Sequence, residues 1–153
     1  MKWIYILIQV TWGLLQSLLG AIMFLMQFCS SHYFYHGAIV TEWSLKSSVS
    51  LGCFIFVTKE PYFYDKLKDT FTKEELSSRL LVHEYGHTVQ SLILGPFYLI
   101  VMGIPSTLWG FLPVAQKKRK QGVSYFSFFT EKWANRLGEM ATRKKSMDNL
   151  LID

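Results

Sequence analysis

The chain has 153 residues, room for one domain. Half of them are hydrophobic, 16% are aromatic and the mean hydropathy is +0.20, too apolar for an ordinary soluble domain. The net charge is +5, with one basic run at Lys117, Lys118, Arg119 and Lys120 and another at Arg143, Lys144 and Lys145. The first run directly follows an apolar segment, so it reads as a juxtamembrane patch and no nucleic-acid partner is expected.

The apolar residues are unevenly spread. No Asp, Glu, Lys or Arg lies between Lys2 and Glu42, and Glu84 is the only one between Arg79 and Lys117. Residues 3–28 are therefore expected to form a transmembrane helix, because about 20 apolar residues cross a bilayer core. A signal peptide fits less well: the apolar run is too long and no small-x-small cleavage site follows. Gln9 and Gln16 are seven apart and share a helical face, which should pack against protein.

Residues 32–58 turn β-branched and aromatic and predict a small β-hairpin beside the helix that follows. Cys29 and Cys53 read as unpaired apolar fillers. Thr72, Lys73, Glu74 and Glu75 form a capping-box pattern, and Gly95-Pro96 is a stop signal. Between them the spacing predicts a helix over 72–94. Gly86 lies inside it, where Gly costs about 1 kcal/mol relative to Ala. That cost makes sense if another backbone or a substrate passes close.

Residues 97–112 are apolar but short, and Gly103, Ile104 and Pro105 interrupt them. They predict either one broken transmembrane helix or a re-entrant hairpin. A second helix is expected over 130–143, and residues 146–153 form a polar tail expected to fray. The expected fold is a mainly α membrane protein with a small β-hairpin, built as one membrane-embedded domain over 1–153.

The chemistry centres on His83, Glu84, Tyr85, Gly86 and His87, an H-E-x-x-H motif on a helix. Residues four apart share a helical face, so His83 and His87 can point two imidazoles at one metal ion. Glu84, one residue away, can act on a metal-activated water as general base. A catalytic zinc needs a third protein ligand and an open position. The candidates are His32, His36, Glu42, Glu60, Asp65, Asp69, Glu131, Glu139 and Asp148. Glu131 stands out at the start of the second helix, with Glu139 next in line. Asn135, one turn beyond Glu131, can hydrogen-bond a ligating histidine and fix its tautomer. Ala134 is small enough to let two helices approach.

H-E-x-G-H followed by E-x-x-A-N resembles the gluzincin group of zinc metallopeptidases. That resemblance implies zinc held by His83, His87 and Glu131, Glu84 as general base and Asn135 as support. The stretch from Leu81 to Ser106, with Thr130 to Gly138, also resembles small bacterial membrane proteins carrying H-E-Y-G-H-T-x-Q-S and W-A-N-x-L-G signatures. The two likenesses imply a zinc-dependent membrane metallopeptidase in a bacterial inner membrane. Its substrate would be a small peptide or a membrane-associated protein. Lys and Arg lie mostly after the first helix, which favours a cytoplasmic site. Tyr98, Tyr125, His36 and Arg136 are available as oxyanion donors. The alternative is a non-catalytic membrane protein whose zinc only clamps two helices, serving as a partner or immunity subunit.

Overall fold

The computed structural model describes residues 2–148 and 150. The chain opens with two helices, α1 (Lys2–Thr11) and α2 (Leu14–Met26). This corrects the expectation of one transmembrane helix over 3–28. The two helices meet at Trp12-Gly13 and are bent by 100°. A Cβ on Gly13 would come within 2.6 Å of Gln9 Oε1, so a side chain there would press on the buried Gln9 amide.

The inner faces of these helices are polar and are held by the protein. Gln9 donates to the carbonyls of Gly52 (3.1 Å) and Thr88 (2.9 Å) and accepts from Ser91 Oγ (2.9 Å). Gln16 donates to Ser91 Oγ (2.8 Å) and to the Gly95 carbonyl (2.9 Å). Outward, Trp3, Leu7, Leu15, Ile22 and Leu25 are exposed.

Two hairpins follow: β1 (Ser31–Tyr35) with β2 (Ala38–Trp43), then β3 (Val49–Leu51) with β4 (Phe54–Thr58). They join into one four-stranded sheet of order β1-β2-β4-β3, in which β2 and β4 run parallel. The single hairpin expected over 32–58 is therefore half of the sheet. His36 (φ 50°) and Gly37 (φ 102°) make the β1–β2 turn, the positive-φ pair that a two-residue loop requires. Ile55 and Val57 face the core, while Phe56 turns the other way onto Trp43, ring centres 5.2 Å apart.

A single-turn helix, α3 (Tyr64–Leu67), leads to the central helix α4 (Lys73–Leu94). Thr72 caps it by accepting from the Glu75 amide at 3.1 Å, and Glu74 and Glu75 sit at the positive end of its dipole. Gly95 (φ 52°) ends it, its amide bonded to the Ser91 carbonyl. Every residue from Leu80 to Thr88 is buried, because the sheet, α1 and the last helix surround α4.

Beyond Gly95 come a 3₁₀ turn (Gly95–Phe97), a π-helical turn (Leu99–Gly103) and α5 (Ile104–Phe111). This arm is bent by 119° relative to α4, which carries α5 back toward the last helix. Helix α6 (Pro113–Lys120) holds the basic run, and a 3₁₀ turn (Tyr125–Ser127) precedes α7 (Phe129–Thr142). The tail docks where fraying was expected. Met147 is fully buried, and Ser146 is held by Glu139 at 2.9 and 3.0 Å. Residues 149 and 151–153 of that tail lie outside the described residues.

Among the described residues no single helix is long and apolar enough to cross a membrane. Only the two bent pairs reach that length and hydropathy, each by adding helices that point in different directions. The expected membrane-embedded fold and its inner-membrane placement are contradicted by this geometry, and the expectation of a cytoplasmic site, which rested on them, falls with them. The observed fold is a helical assembly around α4 with a mixed four-stranded sheet.

Candidate metal centre

Helices α4 and α7 pack more closely than any other helix pair among the described residues, and the centre lies between them. A Cβ on Gly86 would sit 1.8 Å from the Ala134 carbonyl oxygen, and one on Gly138 would sit 2.1 Å from the Val82 carbonyl oxygen. The two backbones touch at both crossings. That contact brings His83 and His87 of α4 against Glu131 of α7.

His83 Nε2 lies 3.1 Å from Glu131 Oε2, His87 Nε2 lies 3.4 Å from the same oxygen, and the two nitrogens are 3.2 Å apart. A tetrahedral zinc with ligands at about 2.0–2.1 Å has ligand–ligand edges of about 3.3 Å. All three edges of the cluster agree with that value. The other ring nitrogens are committed: His83 Nδ1 meets Asn135 Oδ1 at 2.8 Å, and His87 Nδ1 meets Gln90 Oε1 at 2.8 Å. An amide oxygen only accepts, so each Nδ1 carries a proton, and it is Nε2 of each ring that faces the shared centre and offers its lone pair when the ring is neutral. Two nitrogens and one carboxylate oxygen, all buried, make a donor set suited to zinc. The residues present therefore fit the ion.

Electrostatics follow from burial and from this proximity. Burial pulls the His87 pKa down, but the Glu131 carboxylate beside it outweighs that and lifts it to about 9. Burial likewise pushes Glu131 up, and the facing histidines overcome this and hold it well below the usual carboxylate range. Glu84 is fully buried and its pKa is raised by desolvation, partly offset by His87 and His83. Tyr98 and Tyr125 are held protonated by burial and by the nearby Glu84 and Glu131 carboxylates.

A cavity of about 1030 Å³ opens onto the cluster. His83, Glu84, His87 and Glu131 line it at one place, and Tyr98 and Tyr125 line it as well. Strand β3, an edge of the sheet, borders one side, and Met102, Ile104, Leu108 and Phe111 of the arm supply apolar wall.

The other sequence candidates lie elsewhere. His36 packs against the Tyr35 and Tyr85 rings at 4.6 and 5.4 Å, and Arg136 is exposed; neither lines the cavity. His32 bonds Thr41 and the Phe28 carbonyl, each at 3.0 Å. Glu42 pairs with Lys59 at 2.6 Å, Glu60 with Lys73 at 2.7 Å, and Glu139 with Ser146. Asp65, Asp69 and Asp148 fall outside the cluster. Cys29 and Cys53 are both free.

Three further residues belong to the centre: Gln90, which is the Q of the H-E-Y-G-H-T-x-Q-S signature but is assigned no role by that resemblance, and Ser50 and Ser106. Gln90 holds His87 and also donates to the Thr130 carbonyl at 2.8 Å, so it bridges α4 and α7. Its signal is its position three residues after His87, on the same helical face. Ser50 of β3 stands beside both the Glu84 carboxyl and the Tyr98 phenol. Ser106 of α5 donates to Glu131 Oε1. Nothing in the local sequence marks either serine. No known family model, curated protein or solved structure matches this chain.

Proposed function

We propose that the chain is a zinc-dependent peptidase of the gluzincin type, with His83, His87 and Glu131 as ligands and Glu84 as general base. One observation carries the reading: the carboxyl of Glu84 is buried in the same cavity wall as the three ligands. A zinc site that only clamps helices has no use for a buried fourth acid there.

When bound, zinc supplies Lewis acidity, lowering the pKa of a water and polarising a carbonyl. Glu84 takes the proton of the attacking water and returns it to the leaving amine. The Tyr98 phenol, which keeps its proton, donates a hydrogen bond to the developing oxyanion. Edge strand β3 offers its backbone to an extended peptide, and the apolar arm receives apolar side chains. Gln90 and Asn135 keep both histidines in the tautomer that binds metal.

The test has two stages. Metal content of purified wild type and Glu131→Gln, by elemental mass spectrometry, should give one zinc per wild-type chain and marked loss in the variant. Zinc-loaded wild type should then cleave members of a quenched peptide library rich in apolar residues, and Glu84→Gln should bind zinc and cleave none. Zinc bound without any cleavage would reduce the site to a clamp between α4 and α7.

A further inference from the structure

The two oxygens of Glu131 face different parts of the molecule. Oε2 faces His83 and His87. Oε1 accepts from Thr130 Oγ1 at 2.9 Å and from Ser106 Oγ. Thr130 is the neighbouring residue on α7, so its bond is local. Ser106 comes from α5, which forms part of the cavity wall, and its hydroxyl lies near the Tyr125 phenol. The contact is therefore a tie between the candidate metal ligand and the apolar wall.

That wall has few other polar attachments among the described residues. Trp109 Nε1 donates to the Tyr125 carbonyl at 3.0 Å, and its ring stacks on Phe128 at 4.8 Å. Arg119 donates to the carbonyls of Trp109 (2.5 Å) and Gly110 (3.2 Å) at the end of α5. Ile104, Leu108 and Phe111 of α5 are exposed where they line the open cavity, and Ile100 is exposed outside it. A short helix, exposed on one side and following a π-helical turn, depends strongly on each such tie.

We propose that Ser106 is a positioning residue that couples the metal centre to the cavity wall. By holding Oε1, it confines Glu131 to binding through Oε2 alone. By the same bond, it docks α5 against α7. Coupling between two sites is reciprocal. Metal binding then steadies α5, and a docked α5 tightens metal binding. A substrate that shifts the wall would act directly on the ligand geometry. This rests on the metal reading above, and the experiment separates the two.

The full chain is stripped with a chelator and titrated with Co²⁺ and Zn²⁺ against a chromophoric competitor. Wild type should bind one ion, with the visible bands of tetrahedral Co²⁺. Ser106→Ala should bind about 10-fold or more weakly, as when a partner of a metal ligand is lost. Ser106→Thr, which keeps the hydroxyl, should recover most of that loss. Amide exchange over residues 104–111 should slow on adding Zn²⁺ to wild type and stay unchanged in Ser106→Ala. Equal affinity in wild type and Ser106→Ala would overturn the coupling and leave the metal centre standing. So would metal-independent exchange at 104–111 in wild type, which needs no variant to fold. No binding by wild type would remove the metal reading and this one with it.

Discussion

Gly86 and Ala134 meet backbone to backbone: a Cβ on Gly86 would lie 1.8 Å from the Ala134 carbonyl oxygen. Ligands on two different helices can converge only if the helices approach this closely at that height. The glycine inside α4 therefore serves the site, although it is no part of it chemically. Gly86→Ala must push α7 away, since backbone cannot rotate aside as a side chain can. We expect a loss of about 3 kcal/mol or more in urea unfolding, beyond the usual 1–3 kcal/mol of overpacking, together with loss of bound metal. Gly110 of α5 is the control, because a Cβ there would meet nothing within 4 Å. Gly110→Ala should be neutral or stabilising by about 0.5–1 kcal/mol.

The stripped protein should respond to pH in a direction fixed by His87 and Glu131. The folded pKa of His87 is raised from 6.5 to about 9, through Glu131 acting against burial. Its contribution is thus full below about 6.5 and is lost as pH rises through about 9. Glu131 is lowered from 4.5, so its contribution is present above about 4.5 and lost as pH falls. Urea midpoints of chelator-treated protein should be higher at pH 6 than at pH 9.5. Zinc affinity should move the opposite way and rise over that interval, because a proton must leave His87 before the ring can ligate. A stripped protein that gains stability from pH 6 to 9.5 would show that the pair is not formed.

Much of the centre is legible in the sequence because it obeys a helical period. Thr72 and Gly95 bound α4 as local rules require, and His83 and His87 stand one turn apart by arithmetic alone. Glu131 and Asn135 follow the same period on α7. The N-terminal region misleads because hydropathy carries no direction. It does not register the bend at Trp12-Gly13, and it cannot see that Gln9 and Gln16 bond across to α4. The parallel pairing of β2 with β4 is a long-range choice that alternation in either strand does not encode. Ser50, Ser106 and Thr130 acquire roles only through tertiary placement, and small hydroxyl residues are too common to stand out in sequence.

Gln90 and Asn135 are interchangeable in logic and differ in reach. Each accepts the Nδ1 proton of one histidine, but Gln90 also bridges to the Thr130 carbonyl next to Glu131. Asn135→Leu should weaken zinc binding by about 10- to 100-fold, and Asn135→Asp, which still accepts, should lose far less. Gln90→Leu should lose at least as much affinity and also lower the thermal midpoint of the stripped protein, since it breaks a tie between α4 and α7. Competition titration and a melting curve on the same three samples decide this. Unchanged affinity in Asn135→Leu would mean that packing alone orients His83.

Tyr98 and Tyr125 are the two oxyanion candidates that reach the cavity, and their surroundings separate them. The Tyr125 phenol lies near Ser106 and Glu131, whereas Tyr98 stands beside Glu84 and Ser50 at the general-base side. Once a cleaved peptide is in hand, Tyr98→Phe should lower kcat by about 10- to 1000-fold with little change in KM, as expected for a donor used in the transition state. Tyr125→Phe should act through Ser106 and weaken zinc binding more than it lowers kcat at saturating zinc. His36→Ala and Arg136→Ala should leave both parameters near wild type, because neither residue lines the cavity. If Tyr125→Phe instead carried the kcat loss and Tyr98→Phe did not, the donor would sit on the α7 side, and the substrate carbonyl would have to point away from β3.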